Sequence, residues 1–377
     1  MANELAVSVF LVTLTCCESA LLNADGKELI FLQFVFRNGM SAPRELYPND
    51  PNHPDQWEEG MGELTIHGRR QLYALGKELR KRYSHFITAN PREVTMQVAT
   101  NPKGMRSGLS LLASLYAPTE EWEFVPGLPW QPVPVFYLPE DEDKVLVPFR
   151  SCPLVVQRLQ KLVGQYGNET VLEMYEQQMK FWSLNSGLPI NDWNDVVNLH
   201  RILSTEYANK HNVPAWAWKY WKELVCLNDY AYKINFNDNK ILKVVGGPIF
   251  NHLVDNALEK IKGEFESTRV MAFSGQSTHV AGLLGALKAF NDKEPPFASI
   301  VVMELFKDNK NDAFVRWLFR NETDLQVLKI PGCQEFCTME HMHQQAMHYE
   351  STKWGLDCRG PPAALDQLKE LLRNIQI

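Results

Sequence analysis

Two apolar runs, far apart in the chain, each break off into a polar corner, and together they restrict the chain to an α/β architecture. Leu29-Ile30-Phe31-Leu32-Gln33-Phe34-Val35-Phe36 stops at Arg37-Asn38-Gly39, and Val270-Met271-Ala272-Phe273-Ser274 stops at Gly275-Gln276-Ser277-Thr278. Short runs of this kind, bounded by turn residues, read as buried strands. A helix is predicted through Val280 to Leu287 after the second corner. In open α/β sheets the ligand crevice lies beyond the carboxyl ends of the strands, so both corners are expected to face one pocket.

The rest of the pattern fits a large body with an insertion. From Thr65 to Tyr83, Leu72, Leu75 and Leu79 recur at helical spacing among basic residues, and a second helix is expected over Ser107 to Leu115. Residues 120–235 change character, with Pro126-Gly127-Leu128-Pro129-Trp130 followed by charged helical pieces and Pro214-Ala215-Trp216-Ala217-Trp218. The α/β pattern resumes with a helix around Leu253 to Ile261 and strands from Ala298 to Leu305 and from Ala313 to Leu318. We therefore expect an α/β body from residues 21–119 and 236–377, carrying a mainly helical cap from residues 120–235. Trp182, Trp193, Trp216, Trp218 and Trp221 either line a recognition surface above the pocket or pack the cap, and packing is the commoner use of such residues.

The N-terminal stretch, residues 1–20, runs apolar and then meets small residues, the plan of a cleaved export signal, although Glu4 stands where a positive n-region is usual. A secreted or lumenal location is expected. Asn168-Glu169-Thr170 and Asn321-Glu322-Thr323 are acceptor sequons consistent with it. Five cysteines remain beyond the signal. Cys333 and Cys337 are close enough to close a small loop and Cys152 with Cys358 would tie the middle of the chain to its C-terminal region, though spacing alone does not fix the connectivity. A zinc site from Cys333, Cys337, His341 and His343 is the alternative, disfavoured by an oxidising route. The net charge of -7 is spread without long blocks, which gives no nucleic-acid footprint. The charged amphipathic C-terminal segment indicates no membrane anchor.

The two corners and the helices that follow them resemble the histidine acid phosphatase family, the branch with secreted and lysosomal enzymes. Arg37-Asn38-Gly39-Met40-Ser41-Ala42-Pro43 follows that family's Arg-His-Gly-x-Arg-x-Pro motif at its first, third and seventh places. The segment from Leu64 to Tyr83 is similar as well, and Phe273 to Leu287 resembles a second motif, Tyr-Ser-Ala-His-Asp-Thr-Thr followed by an apolar helix. The resemblance implies a histidine-phosphatase-like three-layer α/β body with a helical cap. It also places Thr205 and Ile300 where the family's cap-to-body cysteines fall, which leaves Cys226 as the odd thiol.

The resemblance implies a histidine nucleophile, an acidic proton donor and arginines that neutralise phosphate. Here position 38 is Asn, whose delocalised amide nitrogen cannot form a comparable covalent intermediate. Ser41 replaces the second arginine and cannot offer a bidentate fork. Gln276 and Ser277 stand in the places of the second histidine and the acid, and a serine hydroxyl is a poor general acid at or below neutral pH. Gln97 stands at a further arginine's place, with Lys103 at the later basic one. Arg37 and Lys103 are the candidates for holding an anion, and His279 is the candidate for a displaced nucleophile. The expectation is a catalytically inactive member that takes an anionic small molecule or a protein partner, with an unusual acid phosphatase as the rival. No cofactor is expected, and a homodimer is compatible with the resemblance.

Overall fold

The computed structural model describes residues 22–23, 26–148, 152–166, 172–350 and 358. The predicted export signal and Asn168 lie outside them. The first apolar run becomes β2 (Lys27–Arg37), with the short β1 (Leu22–Asn23) against its start. Its side chains alternate between two cores, Phe31 and Val35 entering one, Leu32, Phe34 and Phe36 the other. Covering on both faces is why the run shows no polar alternation.

Helix α1 (Ile66–Arg82) follows, capped by Thr65, whose Oγ1 accepts from the Gly68 N–H at 3.2 Å. It presents Leu72, Leu75 and Leu79 to one face of the sheet, as their spacing predicts. After β3 (Val94–Val98), helix α2 (Pro102–Leu115) starts ahead of the predicted Ser107, because Asn101 caps it and Pro102 supplies a preset first-turn φ. Strand β4 (Val135–Phe136) pairs parallel to β3.

The cap is helical: α3 (Pro153–Tyr166), α4 (Leu172–Ser186), α5 (Trp193–Ala208), α6 (Ala215–Lys219) and α7 (Trp221–Phe236). Trp182 and Trp193 are wholly buried in it, whereas Trp218 is half-exposed and stacks on Trp221 at 4.7 Å. One loop of the body is clasped to the cap by acids. Asn52 Nδ2 donates both to Asp50 Oδ1 (3.0 Å) and to Glu206 Oε1 on α5 (3.1 Å), and Glu206 is fully buried.

The body resumes with α8 (Asn239–Ile261), much longer than the predicted Leu253 to Ile261 because Asp238 caps it with two backbone bonds and Pro248 is absorbed inside. Strand β5 (Val270–Gly275) and α9 (Ser277–Ala286) follow, then β6 (Ile300–Lys307), β7 (Ala313–Arg320), β8 (Leu325–Val327), β9 (Cys337–Thr338) and α10 (Met339–Met347). Strand β6 starts two residues later than its apolar pattern suggested, since Ala298 turns the chain with φ of 59°. The sheet order is β4-β3-β5-β2-β6-β7-β8, with β2, β3, β4 and β5 parallel and β6 antiparallel to β2. Helices α1 and α2 cover one face, and α8, α9 and α10 the other.

Gly246 of α8 and Gly282 of α9 touch backbone to backbone, and a methyl group at 246 would overlap the Gly282 carbonyl. Gly246→Ala is expected to lower stability by about 2 kcal/mol through overpacking, read as a lower urea midpoint at unchanged slope. Disulfides join Cys152 to Cys358 and Cys333 to Cys337, as expected, and Cys226 is free and exposed. The second bridge uses the sulfurs that the zinc alternative required. Among the described residues, no helix is long and apolar enough to cross a membrane.

Candidate functional site

Strand register brings the two corners together. Arg37 pairs with Gly275, so Asn38 and Gln276 leave the sheet side by side, and the Asn38 N–H donates to the Gly275 carbonyl at 3.0 Å. Because β6 runs antiparallel to β2, its lead-in Glu294-Pro295-Pro296-Phe297 reaches the same end. There the Arg37 N–H donates to the Ser299 carbonyl (2.9 Å) and the Ala298 N–H to the Asn38 carbonyl (3.2 Å). The N-termini of α2 and α9 open at this end, and α5 closes over it from the cap. A cavity of about 50 Å³ lies between body and cap, lined among others by Arg37, Asn38, Ser41, Lys103, Gln276 and Ser277.

The candidates converge, and the side chains of Asn38, Ser277 and Arg37 are already engaged within the fold. The Asn38 Nδ2 donates to the Gly39 carbonyl at 2.7 Å. Ser277 Oγ shares a hydrogen bond with the Tyr232 hydroxyl at 2.7 Å. Arg37 is 6% exposed; its Nη1 pairs with Glu294 Oε1 at 2.9 Å and donates to the Pro295 carbonyl, and its guanidinium lies 3.9 Å from the Phe297 ring centre. An acid and an aromatic ring from the same loop thus hold this arginine from two sides.

His279 is not among the residues lining the cavity. It is buried (2% exposed), and its Nδ1 accepts the Gln276 N–H at 2.9 Å, satisfying a first-turn donor of α9. Burial brings its pKa down to about 4, so the ring is neutral and Nδ1 is already engaged. Gln97 sits on β3, away from the cavity lining, beside the buried Asp143. None of the five cap tryptophans lines the cavity either; those that are fully buried pack the cap.

Three charged lining residues were not singled out from the sequence. Arg44 comes from the corner loop just past Pro43, Arg201 from α5 of the cap, and Glu294 from the lead-in to β6. A charged residue before two prolines and a strand is the signal that could have found Glu294, since the prolines fix how it is delivered. Arg201 carried no such signal.

The electrostatics follow from this gathering. Burial brings the Lys103 ammonium down to about 7, helped by the like charges of Arg44, Arg201 and Arg37, with Glu63 opposing. Burial also lowers Arg201, while Tyr232 and Glu294 oppose that and Arg44 and Arg37 reinforce it. Burial by itself would raise Glu294, but Arg37, His200, an Asn228 hydrogen bond and Arg201 outweigh it and hold the carboxyl below its usual range. In a chain of net charge -7, four cationic side chains meet one carboxylate around this cavity.

Comparison with known proteins agrees with the geometry. The chain is 31% identical over 366 residues to prostatic acid phosphatase of Mus musculus, covering 93% of each chain. It is 27% identical over 352 residues to lysosomal acid phosphatase of Xenopus laevis, covering 90% of this chain and 81% of that one. Among solved structures, a Hafnia alvei phytase in complex with tartrate matches with a TM-score of 0.67 at 16% identity, over 90% of this chain and all of the other, a likeness of fold. With the model of branch 2 of the histidine phosphatase superfamily matching residues 24–320, the chain belongs to that superfamily, in its acid-phosphatase and phytase branch.

Proposed function

We propose that this chain is a non-catalytic histidine-phosphatase-fold protein that binds an anion between body and cap. The observation that carries the reading is a contrast within one cavity. Four cationic side chains surround it, yet the place where attack needs a ring nitrogen lone pair holds the Asn38 amide, already donating to its neighbour's carbonyl. The carboxyl group in the lining, Glu294, is held ionised by Arg37, so it is a poor proton donor at mildly acidic pH. His279 lends no support to the rival reading, because its Nδ1 is committed to the helix and its ring is buried beside the corner.

The two disulfides and the exposed sequon residue Asn321 support a route through an oxidising, secretory compartment. The test of the main reading is steady-state hydrolysis of 4-nitrophenyl phosphate from pH 4 to 8, with Lys103→Met as the control for contaminating enzyme. Turnover at background in both proteins is the expected result. A rate on the order of 1 s⁻¹, lost in the variant and blocked by vanadate, overturns the reading in favour of an acid phosphatase with unusual chemistry.

A further inference from the structure

We propose that Lys103 is an amine nucleophile that captures an aldehyde in the cavity as a reversible imine. The inference goes beyond anion binding and does not rest on it. It concerns the uncharged form of a residue that counts among the cavity's cations only while protonated.

Lys103 differs from the other cations of the lining in having no partner of its own. Arg37 is paired with Glu294 at 2.9 Å, and Arg44 and Arg201 have partners within the fold. Among the described residues, no ion pair or hydrogen bond engages Lys103 Nζ. Glu63, the carboxylate that favours its charged form, is held by Arg106 at 2.6 Å. The side chain is half-buried and lines the cavity between body and cap, so a solute in the cleft can reach it.

Its place in the chain works against the ammonium as well. Asn101 caps α2 and Pro102 opens it, so Lys103 sits in the first turn, at the positive end of the helix dipole, where a cation is disfavoured. Burial is the largest cause that brings the group down to about 7; the like charges of Arg44, Arg201 and Arg37 add to it, and Glu63 opposes. About half of the molecules thus carry a free amine at neutral pH, whereas a lysine amine at the ordinary value near 10.4 is uncharged in fewer than about 0.1%. A desolvated lysine beside cationic groups is the arrangement that turns this side chain into a nucleophile.

The lining decides the electrophile. Glu294 is held ionised by Arg37 and Ser277 is bonded to Tyr232, so these groups supply no acid strong enough to expel an alkoxide or an amine. An aldehyde needs neither. The Nζ lone pair forms a C–N bond to the carbonyl carbon while the C=O π pair moves to oxygen, and one nitrogen proton passes to that oxygen to give a carbinolamine. The nitrogen then forms the C=N bond as hydroxide departs, and the second nitrogen proton leaves with it as water. Negative charge developing on the oxygen is favoured by the positive end of α2. No oxidant or reductant takes part, so addition of water reverses the adduct.

The experiment is reductive labelling of the intact protein with dilute acetaldehyde and sodium cyanoborohydride, which fixes each imine as an ethylamine, followed by proteolysis and mass spectrometry of the lysine peptides. At pH 7, Lys103 should be labelled at least about tenfold faster than the exposed Lys77 and Lys240. That ratio should fall by about tenfold from pH 6 to pH 8, because an amine titrating near 7 is almost wholly uncharged by pH 8 while the free fraction of an ordinary lysine keeps rising. In urea sufficient to unfold the protein the preference should vanish. Lys103→Arg should remove this label and leave the rates at Lys77 and Lys240 unchanged. Labelling of Lys103 no faster than of Lys77 and Lys240 overturns the proposal, since the amine is then charged or closed to solutes. A ratio independent of pH, or a preference that survives unfolding, overturns it as well, because the reactivity then does not come from the cavity. None of these results bears on phosphatase turnover, which the hydrolysis assay reads separately.

Discussion

Replacing Arg37 by alanine is expected to lower the unfolding free energy by about 3–5 kcal/mol, the cost of stranding a buried charge. The side chain is 7% exposed and that of Glu294 is 17% exposed, so the carboxylate left behind has little water to turn to. The variant also removes a donor from the Pro295 carbonyl and a cation from the face of Phe297. Equilibrium denaturation in urea measures the loss. Substituting both partners, Arg37→Met with Glu294→Gln, should recover more than half of it, because no unpaired charge then remains. If Arg37→Ala alone unfolds at the parental midpoint, the pair is not holding the corner to the lead-in of β6.

The second large effect concerns the acid clasp between body and cap. Burial, then the hydrogen bond and the charge of Asp50, raise the Glu206 pKa from 4.5 to about 9, with Asn52 opposing. The folded pKa exceeds the unfolded one, so the contribution of Glu206 to stability is fully present below about pH 4.5 and is lost progressively as pH rises toward about 9. The slope is about 1.4 kcal/mol per pH unit for a single group, and about 4 kcal/mol should separate pH 5 from pH 8. Glu206→Gln mimics the protonated acid and has no proton to lose. The variant should match the parent near pH 5 and exceed it at pH 8, measured as the difference between their urea midpoints across the range. Parallel pH profiles for the two proteins would show that Glu206 is ionised in the fold.

What the residues revealed on their own, and what they withheld, divides along a physical line. The strands β2 and β5, with the corners that end them, were readable because burial on both faces leaves a continuous apolar run and a turn must follow it. The pairing of Cys333 with Cys337 needed little more than proximity. The start of α2 was misplaced because its first turn carries Lys103 and Gly104 rather than apolar residues, and its signal lay in the Asn101 cap. For α8 the Pro248 masked continuity that packing enforces. Half of the cationic cavity was invisible. Arg44 and Arg201 are 157 positions apart and look like ordinary surface arginines until the cap closes on the corner. His279 could be placed near the site from helical spacing, but whether its ring faced the cavity or its own helix depended on the Gln276 N–H seeking an acceptor.

The tethered carboxylate at 294 also bears on how readily this corner could be fitted for phosphoryl transfer. Placing a histidine at position 38 would put a nucleophile next to an arginine that already carries a resident competitor, present at the high effective concentration of an intramolecular group. Taking away the competitor first leaves the arginine buried without its counter-charge. Each single change of this kind thus passes through a poorer protein, and only paired changes on segments more than 250 residues apart in the chain avoid it. A side chain that holds the corner together therefore also acts as a latch against piecemeal change at that corner.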